Sequence, residues 1–132
     1  MRAYVDANIF VLANYADDER GERAAKIIER IQSGEDTGFT CSLTIDEVMW
    51  AVHKQKQGEQ LREVVEDIYQ TANLHVLETP AKVPLLALEF MEEYGFRPRD
   101  AIHCAVMREH ALTAIYSDDE DFDKVKWIKR KF

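Results

Sequence analysis

Apolar positions along the chain alternate between short runs and helical stripes. Tyr4 and Val5 belong to an aromatic and β-branched run ending at Asp6, which predicts a buried strand, and Ile9 to Leu12 predict a short helix behind it. From Asp18 to Gln32 the residues Ala24, Ile27, Ile28 and Ile31 fall on one helical face, and Ser33-Gly34 closes the segment. Phe39 to Cys41 predict a second strand. Thr44 then opens a helix with Ile45, Val48, Met49 and Val52 on one face, broken at Gly58. Leu61, Val64, Val65 and Ile68 mark a further helix, and Leu74 to Leu77 a strand. Thr79-Pro80 signals a helix start, Pro84 fits only a first turn, and Leu86 to Tyr94 carry that helix to Gly95. Arg99 to His110 predict a helix with Ala101, Ile102, Ala105 and Val106 inward. Thr113 to Tyr116 predict a strand, Asp118 to Phe122 a turn or short helical piece, and Val125 to Ile128 a last strand.

Strands alternating with helices imply parallel pairing and right-handed crossovers. The expected fold class is α/β: a three-layer α/β/α sandwich around a small, mostly parallel central sheet. The 132 residues suit one domain, 1–132, with no repeat or linker. No apolar run is long enough to span a bilayer, and Asp6 comes too early for a signal peptide. Cys41 and Cys104 lie far apart in apolar contexts, as reduced core residues of a cytoplasmic protein would. The formal net charge of -8 argues against a general nucleic-acid binder, although a carboxylate-rich metal site would itself add negative charge. The basic stretch Lys124, Lys126, Lys129, Arg130 and Lys131 reads equally as a solvated edge.

Ligands of an open parallel sheet bind beyond the carboxyl ends of its strands. Asp6 follows the first strand. Asp118, Asp119 and Asp121 follow the strand ending near Tyr116. Glu47 and Asp100 are placed in the first turns of two helices. Each acid has a structural explanation: Asp6 as an N-cap, Glu47 as capping-box partner of Thr44, Asp100 at a helix dipole, Asp119 in a turn. Together they would repel one another unless a cation lay among them. Carboxylate oxygens suit Mg²⁺ or Mn²⁺, and such an ion activates water towards a phosphodiester. The histidines His53, His75, His103 and His110 are scattered, and read as packing or surface residues. No serine, cysteine or phosphate-loop constellation competes.

Three blocks then resemble the PIN-domain family, including the VapC toxins of toxin–antitoxin pairs: Tyr4 to Phe10, Arg99 to Ala105 and Ile115 to Phe122, linked by Ser42 to Glu47. The resemblance implies a metal-dependent endoribonuclease using Mg or Mn. It casts Asp6, Glu47, Asp100 and Asp119 as catalytic and metal-binding acids, and Asn8 and Ser117 as groups that orient them. In the last block the family's frame puts Ser117 at a hydroxyl position, Asp119 at the acid and Phe122 at the aromatic. The doubled aspartate leaves Asp118 as the alternative, and Asp121 is peripheral. The resemblance further implies a homodimer, an RNA substrate and an antitoxin protein. Trp50, Phe90 and Trp127 read chiefly as core, with an interface as the other use. Two other readings stay open: an inactive binding module on the same fold, and a phosphoryl-transfer or receiver-type domain, against which Asp6-Ala7-Asn8 lacks a second acid.

Overall fold

The computed structural model describes residues 1–55 and 58–132. Among these, the chain runs β1 (Arg2–Val5), α1 (Ala7–Tyr15), α2 (Glu19–Gln32), β2 (Thr37–Cys41), α3 (Ser42–Lys54), a 3₁₀ turn (Gly58–Gln60), α4 (Leu61–Gln70), β3 (Leu74–Leu77), α5 (Val83–Tyr94), α6 (Pro98–Glu109), β4 (Ala114–Tyr116), a second 3₁₀ turn (Glu120–Lys124) and β5 (Lys129–Lys131). The strands form one sheet in the order β3-β2-β1-β4-β5, and every pairing is parallel. Successive connections leave β1 on one side and reach β4 on the other, so the order reverses at β1. A crevice opens at such a reversal, beyond the strands' carboxyl ends.

Side-chain alternation along the strands divides the core into two layers. Ala3, Val5, Ala114 and Tyr116 face α1 to α4, where Ile9, Ile31, Val48, Val52 and Ile68 close the layer. Tyr4, Cys41 and Ile115 face α5 and α6 on the other side, packed with Phe90, Val106, Met107 and Phe122. Central strands buried on both faces explain why β1 and β4 read as continuous apolar runs. Both cysteines are free and buried.

The structure departs from expectation at several points. The last strand is Lys129–Lys131, not Val125 to Ile128. Val125 and Ile128 are buried as core plugs of the preceding turn, while the charged triplet pairs with Ala114–Tyr116. Lysines on an edge strand disfavour further strand addition. The helix expected from Thr44 begins at Ser42, with Cys41 as N-cap. Thr44 is therefore already inside the helix, and Glu47 lies in the second turn rather than the first. Met49 is exposed, as is Trp50 at 50%, whereas Phe90 is buried and Trp127 half-buried against its edge. Pro84 does occupy the first turn of α5. No described helix is long and apolar enough to cross a membrane.

Candidate metal centre

Asp6 directly follows β1 at the centre of the sheet and caps α1. Its backbone N–H donates to the Tyr116 carbonyl at 3.0 Å, which ties the carboxyl ends of β1 and β4 together. The side chain is both a cap and a site group: Oδ1 accepts from the Ala7 N–H at 2.8 Å, while Oδ2 accepts from Ser117 Oγ at 2.6 Å and Asn8 Nδ2 at 3.0 Å. Ser117 Oγ in turn accepts from Asn8 Nδ2 at 3.1 Å and from the Asp119 N–H at 3.0 Å. The hydroxyl is saturated and its proton is committed to Asp6. Asn8 also accepts the Asp118 N–H at 3.2 Å, so one amide clamps α1 to the segment after β4. Asn8 and Ser117 thus orient Asp6 and shape the backbone that carries Asp119.

Glu47 reaches in from α3. Its Oε1 lies 2.5 Å from His103 Nε2, on α6. His103 is 1% exposed, and its Nδ1 lies 2.7 Å from the Tyr4 hydroxyl. That hydroxyl also meets Cys41 Sγ at 3.0 Å and Thr44 Oγ1 at 3.1 Å. Thr44, which the sequence offered as a cap, is spent on this buried cluster instead. Because an ionised carboxylate only accepts, the proton on His103 Nε2 points at Glu47 whatever Nδ1 carries. Burial opposes a charge on His103, but its contacts with Cys41 and Glu47 and the nearby Asp6 carboxylate hold its pKa above the ordinary imidazole value. A protonated Nε2 cannot ligate a metal, so His103 steadies the acid rather than joining a ligand set.

The acids form two groups whose oxygens, or ring nitrogen, lie within 4.8 Å of one another: Asp6 and Glu47 with His103, and Asp100 with Asp119 and Asp121. Asp100 stands in the first turn of α6, after Pro98. Asp119 caps the second 3₁₀ turn through the Asp121 N–H at 2.9 Å. Asp121 is exposed and pairs with Lys124. Asp118 turns the other way, into an ion pair with Arg20 at the start of α2. Burial, together with Asp119, Asp6 and Glu47, raises Asp100 to about 6 against the pull of His103. Burial likewise raises Asp6, opposed by His103 and Ser117. The two groups therefore share one electrostatic field. Several carboxylates held close, with Asp6 and Asp100 pushed towards protonation, are an all-oxygen donor set that a hard divalent cation fits.

Two of the five residues in the C-terminal basic stretch are engaged, Lys124 with Asp121 and Arg130 with Asp123. Arg130 forks onto Asp123 with two 2.9 Å contacts and also reaches the Ser117 carbonyl. Of the other histidines, His75 stacks on Phe39 and His110 meets the Glu78 carbonyl. His103 was legible as a packed residue, but nothing local to it signals Glu47.

An acid directly after central β1, a crevice at the strand reversal and acids brought in by two helices define a class of α/β domains with a carboxylate-lined site. Comparison narrows the class: the PIN domain model matches residues 3–128, and the chain belongs to the PIN-domain family. It is 23% identical over 140 residues to Ribonuclease VapC2 of Methanocaldococcus jannaschii, covering 97% of this chain and 91% of that protein. Among solved structures it resembles VapBC2 from Rickettsia felis bound to a promoter DNA fragment, with a TM-score of 0.75, 18% identity and 99% and 98% of the two chains covered. It also resembles Mycobacterium tuberculosis VapC20, a sarcin-ricin loop cleaving toxin, with a TM-score of 0.73, 19% identity and 92% of each chain covered.

Proposed function

We propose that the protein is a divalent-metal-dependent endoribonuclease, the toxin of a VapBC-type pair, with Asp6, Glu47, Asp100 and Asp119 as its metal-binding acids. The observation that carries the reading is the convergence of two acid groups over the carboxyl ends of β1 and β4, with Asp100 raised by both. The family match and the relatives' names support it. Mg²⁺ or Mn²⁺ bound by these oxygens supplies an acidified water and neutralises charge at the phosphodiester. Ser117 and Asn8 fix the Asp6 carboxylate, and His103 fixes Glu47. Asp119 is the fourth acid because Asp118 is occupied by Arg20; Asp121 is peripheral. The substrate is RNA, the compartment the cytoplasm, which the reduced cysteines favour, and the partners are an antitoxin and a second copy of the chain.

The test is cleavage of single-stranded RNA with Mg²⁺ or Mn²⁺. Asp6→Asn keeps the cap to Ala7 and its fold but loses cleavage by at least about 100-fold, as removal of a metal-binding group does. Cleavage at the wild-type rate in Asp6→Asn overturns the assignment. A folded wild type that neither binds Mn²⁺ at millimolar concentration nor cuts RNA establishes the binding-module reading instead.

A further inference from the structure

We propose that Arg97 and Arg99 form the subsite that holds the RNA backbone phosphates beside the scissile bond; this rests on the nuclease reading above and deepens it. The two side chains flank Pro98 at the start of α6. With Glu47 and Asp100 they line an open cleft of about 440 Å³, so both arginines share a cleft with two of the acids.

Their isolation within the charge pattern is the decisive observation. In a chain of net charge -8, arginines find partners easily. Arg20 pairs with Asp118, Arg23 with Glu19, Arg30 with Asp36, Arg62 with Glu66, Arg108 with Glu89 and Arg130 with Asp123. Arg2 lies over the Phe39 ring at 4.9 Å. Among the described residues, Arg97 and Arg99 alone of the arginines have neither a carboxylate nor an aromatic partner, and both are exposed.

An arginine held by a carboxylate must break that pair before it meets a phosphate, whereas these two are free to engage. The guanidinium fork matches two phosphate oxygens at once, which suits a polyanion passing over a carboxylate-lined crevice. The crevice otherwise repels RNA, and two cations at its rim give the strand a fixed approach. Two such cations beside the acids let a protein of net charge -8 hold a nucleic-acid strand without a basic surface overall.

The experiment measures fluorescence anisotropy of a labelled single-stranded RNA on the Asp6→Asn protein in Mg²⁺, across a salt series, so it does not depend on turnover. Adding Arg97→Gln and Arg99→Gln is expected to weaken binding by about 10-fold or more at 0.1 M salt. It should also flatten the plot of log affinity against log salt by about 1.4, two phosphate contacts at about 0.7 each. The control is Arg23→Gln with Arg62→Gln, which removes the same charge from two exposed helix pairs and is expected to leave both quantities unchanged. Mn²⁺ affinity by calorimetry on the wild-type background is expected to be the same with and without the Arg97 and Arg99 changes. Unchanged RNA binding in the Arg97, Arg99 variant, an equal loss in the control, or no binding by the Asp6→Asn parent at low salt each overturns the subsite. Absence of metal-dependent cleavage by the wild type would instead strike the nuclease reading, so the two failures are distinct.

Discussion

His103 Nε2 lies 2.5 Å from Glu47 Oε1, and through that ring the Tyr4 hydroxyl on β1 is connected to an acid on α3. The contact makes His103 a positioning residue for Glu47. His103→Leu is expected to weaken Mn²⁺ binding by about 10–100-fold, the usual cost of losing an outer partner of a ligand. His103→Gln can still direct an N–H at Glu47 and should recover most of the affinity. Calorimetric titration of the two variants decides the matter: equal losses in both would mean that the ring only fills space.

Asp118 and Asp119 are neighbours in sequence with opposite commitments, one to Arg20 and one to the acid group around Asp100. Asp119→Asn is therefore expected to lower RNA cleavage by about 100-fold or more. Asp118→Asn should stay within about threefold of wild type, because it disturbs an exposed ion pair worth at most about 1 kcal/mol. Steady-state cleavage assays on the two single variants resolve the frame, and a reversed order of activity would reassign the fourth acid.

Asp100 ties the proposed metal site to stability. Burial and the surrounding acids set its folded pKa at about 6, above the ordinary 3.8. The folded state therefore takes up its proton first as pH falls. The metal-free protein should gain stability as pH drops through about 6, and the gain should be complete below about 4. Asp100→Asn removes this repulsion at pH 7.5 and should raise the metal-free Tm by about 4 °C, for about 1 kcal/mol after allowing for partial exposure. The same change should abolish the Tm rise that Mn²⁺ gives the wild type. Thermal melts with and without metal would refute this if the variant melted lower without metal or kept its Mn²⁺ shift.

Sequence pattern exposed the parts of this protein in which one residue's environment is set by its own element. The buried runs at Tyr4–Val5 and Ile115–Tyr116 and the stripe Ala24, Ile27, Ile31 were legible because burial imposes their periodicity. The PIN resemblance was legible because three separated blocks each kept a local motif. Charged β5 was hidden: an edge strand need not be apolar, and the nearby Val125 and Ile128 mimicked one. The start of α3 was hidden because Cys41 caps it without a side-chain hydrogen bond. His103 was hidden most thoroughly. Its apolar neighbours Ile102 and Cys104 describe a core position, while Glu47 and Tyr4, which give it meaning, lie 56 and 99 residues away.

Gly21 tests how tightly the α1–α2 turn holds the layer that presents Asn8 and Arg20. A Cβ built there would stand 2.1 Å from the Ala16 carbonyl oxygen and 2.8 Å from its carbon, backbone atoms that cannot rotate away. Alanine improves helix propensity by about 1 kcal/mol, yet it must push the first turn of α2 off Ala16. The clash should win, so Gly21→Ala is expected to destabilise the protein by about 1–3 kcal/mol, as other overpacked sites do. Gly58→Ala is the matched control: nothing lies within 4 Å of its added methyl, and its effect should stay within about 0.5 kcal/mol. Urea denaturation read by circular dichroism compares the two. A Gly21→Ala protein as stable as wild type would show that the first turn of α2 can shift off Ala16 at little cost.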